Sequence, residues 1–159
     1  MFPLRAILHP TNFSEASEHA LRVAYQLARD YKARLILLNA LEPPLDHGDL
    51  GEEFHAAETV RDKAHDRIAH LVDANAPVTV DAIVVEGFTV EVILGEARER
   101  RCDLIVIGSH GRTGLGRALM GSVAEDVARK ACCPVLIVRE CHEVAPADHV
   151  EAREHVGAK

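Results

Sequence analysis

Five short aliphatic runs, each parted from the next by a helix-patterned stretch, constrain the fold of this chain more than any other feature. They occupy residues 4–8 (LRAIL), 35–38 (LILL), 82–85 (AIVV), 104–107 (LIVI) and 135–138 (VLIV), the last opened by Pro134. Continuous apolar runs without alternation suit strands buried on both faces, as in a parallel sheet. A proline at the first residue of a strand is tolerated. Between the runs, apolar residues recur at helical spacing. From residue 14 to 31 the stripe is Ala16, Ala20, Leu21, Ala24, Leu27, Ala28 and Tyr31. Ser14 is placed to cap that helix, and Glu15 and Glu18 suit the positive end of its dipole. Further helices are predicted over residues 52–74, 90–101 (Val92, Ile93 and Ala97 inward) and 122–131, where Ser122-x-x-Glu125 reads as a capping box. Strands alternating with helices imply parallel pairing, hence one doubly wound α/β domain. Residues 43–51 form a Pro/Gly/Asp-rich loop. The pattern stops after Arg139, leaving residues 140–159 as a polar tail separate from the domain at 1–139.

Composition narrows the class. Apolar residues are 48% of the 159, which argues against disorder, and aromatics are only 4%, so the core is aliphatic. Lys and Arg number 18 against 25 Asp and Glu. A net-negative chain is poorly suited to blanket binding of nucleic acid or anionic membranes. No apolar run approaches membrane-span length and no signal peptide is evident, so a cytoplasmic location is expected. Cys102, Cys132, Cys133 and Cys141 form no CxxC pair or zinc knuckle and read as reduced, mostly buried thiols. The histidines read mostly as solvated surface. A metal site from His142, His149 and His155 in the tail is the lesser reading.

Unusual chemistry sits after the first and fourth runs. The first such segment is His9-Pro10-Thr11-Asn12-Phe13-Ser14. The second runs from Gly108 through Ser109, His110, Gly111 and Arg112 to Gly121 and Ser122, and it holds half of the chain's ten glycines. Glycine lets backbone amides approach a ligand with no Cβ in the way. The segment ends where a helix begins, and a helix N-terminus favours phosphate. Residues 104–124 contain no acidic side chain, while His110, Arg112 and Arg117 are present. A P-loop would need a lysine that is missing, and the dinucleotide fingerprint would need glycine where Leu119 stands.

Residues 4–139 resemble the universal stress proteins. Gly108, Gly111, Gly121 and Ser122 match that family's Gly-x2-Gly-x9-Gly-[Ser/Thr] ATP-binding pattern without a gap, between an aliphatic strand and a helix start. The segments ILHPTNFS and CPVLIV are similar to the family's first and last strands. The resemblance implies a five-stranded parallel sheet of order 3-2-1-4-5 and a homodimer paired through residues 135–138. It implies that Pro10, Thr11 and Asn12 border adenine and ribose, and that Ala40 meets the base by its backbone. Ile107, Gly108, Ser109, His110, Gly111 and Arg112, with Gly121, Ser122 and Val123, would hold ribose and phosphates. The ligand implied is ATP, ADP or AMP, with magnesium or manganese carried on the phosphates. Asn12 departs from the usual aspartate, which removes a carboxylate for holding metal or activating water. The resemblance therefore points to a stress-response sensor module acting with an unidentified protein partner. A slow ATP hydrolase with His9 or His110 as base, and an interaction module without ligand, are the alternatives.

Overall fold

The structure, a computed structural model, describes residues 4–43, 52–72, 77–109 and 121–139, with side chains in the second helix described from residue 59. Its elements run β1 (Ala6–Pro10), α1 (Glu15–Tyr31), β2 (Arg34–Leu41), α2 (Glu52–His70), β3 (Val80–Glu86), α3 (Thr89–Glu99), β4 (Leu104–Gly108), α4 (Ser122–Lys130) and β5 (Val135–Val138). The sheet is parallel throughout, in the order β3-β2-β1-β4-β5. Both the five-stranded doubly wound class and the strand order agree with expectation. The expected tail at 140–159 and most of the predicted loop at 43–51 lie outside the described residues.

The sheet is buried on both faces, which is why its strands read as unbroken aliphatic runs. Leu35, Ile36, Leu37 and Leu38 are all fully buried, with alternate residues on opposite sides. Each contributes about 2 kcal/mol by leaving water. One layer joins Leu8, Ile36, Leu38, Ile105 and Ile107 to Ile93 and Ala97 of α3 and Ala124 and Val127 of α4. The other joins Ile7, Leu35, Leu37 and Val106 to Ala20, Leu21, Ala24 and Ala28 of α1 and Ile68 of α2.

Helix α1 forms as its pattern predicts. The Ser14 hydroxyl accepts from Ser17 N–H at 3.3 Å, and Lys32 closes the far end at φ 55° with its N–H on Ala28 O. Tyr31 departs from the predicted stripe and is 53% exposed, although Ala28 in the same last turn is buried. Helix α2 ends at His70, short of the predicted 74, and α3 begins at Thr89 and ends at Glu99. β1 starts at Ala6 rather than Leu4 and continues through His9 and Pro10.

The capping box at Ser122 does not form. Gly121 is the N-cap, no side chain caps it, and Ser122 is the first helical residue. Glu125 is occupied instead by Arg129, one turn on, at 2.6 Å. Helix α4 thus begins without a side-chain cap from its N-cap residue, Gly121.

Candidate functional site

In this strand order the chain leaves β1 toward β2 on one side and returns to place β4 on the other. The carboxyl ends of β1 and β4 therefore diverge, and a crevice opens between them. It is a cavity of about 230 Å³. Pro10, Thr11 and Asn12 enter it from β1, and Ala40 from β2. Ile107, Gly108 and Ser109 come from β4, and Gly121, Ser122 and Val123 from the start of α4. The structure thus gathers these sequence-predicted positions around one space. His110, Gly111 and Arg112 lie outside the described residues.

Each wall has a local cause. Pro10 ends β1, and Phe13 adopts φ 60°, turning the chain into α1. Hydrogen bonds hold that turn. Thr11 Oγ1 accepts from Phe13 N–H at 3.1 Å and from the Ser17 hydroxyl at 2.8 Å. Asn12 Oδ1 accepts from Ser14 N–H at 3.1 Å and from the Ser14 hydroxyl at 2.6 Å. Asn39 Nδ2 donates to Thr11 O at 2.8 Å. From α2, the Arg67 guanidinium sits 4.0 Å from the centre of the Phe13 ring. Gly121 N–H donates to Ser109 O at 2.8 Å, which ties the end of β4 to the start of α4.

Gly108 is a glycine for a packing reason. A Cβ there would stand 2.8 Å from Ala16 O and 3.2 Å from Ser17 N, so only glycine lets the start of α1 seat against β4. Close approach to a ligand is not needed to explain it.

The described lining carries no ionisable side chain. Its polarity comes from hydroxyls, the Asn12 amide and the N–H groups opening α4, which lack a side-chain cap from Gly121, and its apolar wall from Ile93, Ile107 and Val123. Such a site can hold a flat, partly apolar group on one side and anionic oxygens at the helix start. Among the described residues no three metal-ligating side chains converge.

His9 is not a base for this site. It is fully buried on the α1 side of the sheet, with Nδ1 2.9 Å from Val106 O. A carbonyl only accepts, so Nδ1 carries the proton and Nε2 the lone pair. Burial pushes the His9 pKa down to about 4, against the smaller opposing effect of the Val106 carbonyl. The thiol expectation also changes. Cys102 is buried, but Cys133 is half-buried and Cys132 exposed. Cys141 and the tail histidines lie outside the described residues.

Four lining residues were missed from sequence: Ser17, Thr89, Ile93 and Ala124. Ile93 and Ala124 sit on helix faces that read as core. Ser17, one turn past the Ser14 cap, and Thr89, just after Gly87 at a strand end, carried the available signals. The Thr89 hydroxyl donates to Glu42 Oε1 at 2.7 Å, tying α3 to the end of β2.

The comparisons agree with this geometry. The universal stress protein family model matches residues 3–139. A universal stress protein of Thermus aquaticus is 33% identical over 137 residues, covering 85% of this chain and 98% of that one. Universal stress protein MJ0577 of Methanocaldococcus jannaschii is 32% identical over 155 residues, covering 85% and 94%. Its solved structure superposes with a TM-score of 0.73 at 28% identity, covering 88% of this chain and 99% of that one. A universal stress protein solved in complex with cAMP superposes at 0.60 with 26% identity, covering 86% and 97%. With its sheet order, its crevice and its glycine spacing all in place, the chain belongs to the universal stress protein family.

Proposed function

We propose that this protein is an adenine-nucleotide-binding regulatory module whose output is binding rather than turnover. The observation that carries the reading is the cavity at the β1/β4 divergence. It joins an apolar wall fit for a base to uncapped amides fit for phosphate, with no carboxylate among its described lining residues. The cAMP complex of a relative supports the ligand class. ATP, ADP or AMP would bind with Pro10, Thr11, Asn12 and Ala40 toward base and ribose. The residues from Gly108 on, with Gly121, Ser122 and Val123, would take the phosphates. Magnesium or manganese, when present, would ride on those phosphates.

Hydrolysis needs a positioned base or water orienter. His9 is buried away from the cavity, and Asn12 uses its side-chain oxygen on Ser14. Binding ground state and transition state equally gives no acceleration. β5 is an edge strand with Leu136 39% exposed, and antiparallel pairing of two copies there would cover it. No described helix is long and apolar enough to cross a membrane.

Calorimetry on ligand-stripped protein tests the reading. The expected affinity is micromolar-range, about −8 kcal/mol, with binding lost in Gly121→Val while circular dichroism is retained. No heat with ATP, ADP or AMP, or full binding by Gly121→Val, overturns it. Single-turnover assays with magnesium or manganese should show hydrolysis far below about 1 per second, the low end of ordinary enzymes. A faster wild-type rate favours the hydrolase reading.

A further inference from the structure

The two ends of the cavity differ in chemistry. Helix α3 packs against β2 and α4 against β5. Gly121, Ser122 and Val123 therefore stand at one end, and Ala40 of β2 with Thr89 and Ile93 of α3 at the other. Thr89 and Ile93 are four residues apart, so they share one face of α3. With anionic oxygens at the start of α4, a flat base falls against the α3 end. Thr89 is the polar side chain there, beside the aliphatic Ala40 and Ile93.

The polarity of that hydroxyl is fixed by a neighbour. Thr89 Oγ1–H donates to Glu42 Oε1 at 2.7 Å, and Thr89 N–H donates to the same oxygen at 3.4 Å. Glu42 follows β2 directly, and Gly87 N–H on Leu41 O at 2.9 Å keeps the end of β2 beside the turn into α3. A hydroxyl has one proton and two lone pairs, and a carboxylate only accepts. The Thr89 proton is therefore committed to Glu42, and lone pairs are what the oxygen has left. Among the described residues nothing donates to them. Turning the proton toward the cavity would break a charge-assisted bond.

We propose that Thr89, held as an acceptor by Glu42, makes this cavity select a 6-aminopurine over a 6-oxopurine. The proposal rests on the nucleotide-binding reading above and names the pair that sets its base preference. An exocyclic amine brings N–H donors and can give one to Thr89 Oγ1. A ring carbonyl in the same place brings only lone pairs, so acceptor meets acceptor. The Glu42 carboxylate behind Thr89 adds repulsion of the same sign. A base that leaves polar groups unpaired is rejected more strongly than a matching one is rewarded. Glu42 also stands in for a cap on α3, because Phe88 supplies none. Capping alone would treat both bases alike, which is what the experiment separates.

Calorimetry on the ligand-stripped full chain compares ATP with ITP, whose base differs only by a carbonyl and N1–H in place of the amine and N1. Wild type should bind ATP at least about tenfold tighter than ITP. Thr89→Val keeps the side-chain shape and removes the oxygen. It should weaken ATP about tenfold and bring the two nucleotides within about twofold of each other. Thr89→Ser, which keeps the hydroxyl, should recover the preference that valine loses. Glu42→Gln keeps an acceptor for the α3 amide but adds an N–H that can donate to Thr89 Oγ1. The hydroxyl is then free to turn, and the preference should narrow because ITP binds better. Equal affinities in wild type, a preference that survives Thr89→Val, or equal weakening of ATP and ITP in that variant overturns the proposal and leaves the nucleotide reading standing. Binding of neither nucleotide by wild type removes that reading, and the proposal with it.

Discussion

On the face covered by α1 and α2, the carboxyl ends of β1 and β2 carry His9, Thr11 and Asn39, all buried. On the face covered by α3 and α4, the corresponding layer is Leu8, Leu38, Ile105 and Ile107. The polar face fixes a backbone. Asn39 and Ser17 hold Thr11, His9 holds Val106, and α1 seats on Gly108. The apolar face supplies a wall, with Ile93 and Ile107 lining the cavity. Buried polar groups demand partners, so they specify one geometry, whereas an aliphatic wall only excludes water. A site that must present Asn12 and the β1 turn at a set angle is best anchored from the polar side.

The largest test of that contrast pairs two glycines. Gly108→Val on the polar face would drive a side chain into the Ala16 carbonyl, a backbone atom that cannot swing away. It should cost about 4 kcal/mol or prevent folding. Gly95 in α3, on the apolar face, has nothing within 4 Å of an added Cβ. Gly95→Ala should stabilise by roughly 0.5–1 kcal/mol through helix propensity. Urea midpoints measure both, and a Gly108→Val midpoint equal to wild type would break the comparison.

Acid reads the same face through His9. Its folded pKa of about 4 lies below the ordinary 6.5, so the unfolded chain binds the proton first as pH falls. The stability is therefore fully present above pH 6.5 and is lost as pH drops toward 4, by roughly 3 kcal/mol from this residue. In His9→Leu that stretch of the pH–stability curve should flatten relative to wild type. The leucine variant should start lower at neutral pH, because Val106 O loses its donor. An unchanged slope between pH 6.5 and 4 would remove His9 from the account.

The smallest effect sharpens the apolar side. Ser122 is the first helical residue of α4 and makes no cap. Ser122→Ala should leave stability within about 0.5 kcal/mol of wild type, where loss of a true N-cap costs about 1. If Ser122 serves the cavity, the same change should weaken nucleotide binding several-fold in calorimetry. A loss of stability without a loss of binding would restore the capping role.

Much of this was legible in the residues. Aliphatic runs such as LILL lack alternation because both faces are covered, and the stripe Ala20-Leu21-Ala24-Ala28 repeats at helical spacing because α1 covers one of them. Those patterns are local, so they survive in a linear string. The glycine spacing from Gly108 to Ser122 is likewise local, and its two ends fall where β4 ends and α4 begins. What stayed hidden depends on which distant segments become neighbours. Ser122-x-x-Glu125 looks like a cap until Gly121 is seen pinned to Ser109, which shifts the helix start by one residue. His9 looks like a base beside a loop until α1 covers it and Val106 arrives from the next strand with an acceptor. Cys102 and Cys133 are far apart in the chain, and only the folded sheet sets both against the apolar layer under α3 and α4. Periodicity tells each residue which face it takes; strand order and register decide what waits on that face, because those are set by the packing of the whole sheet.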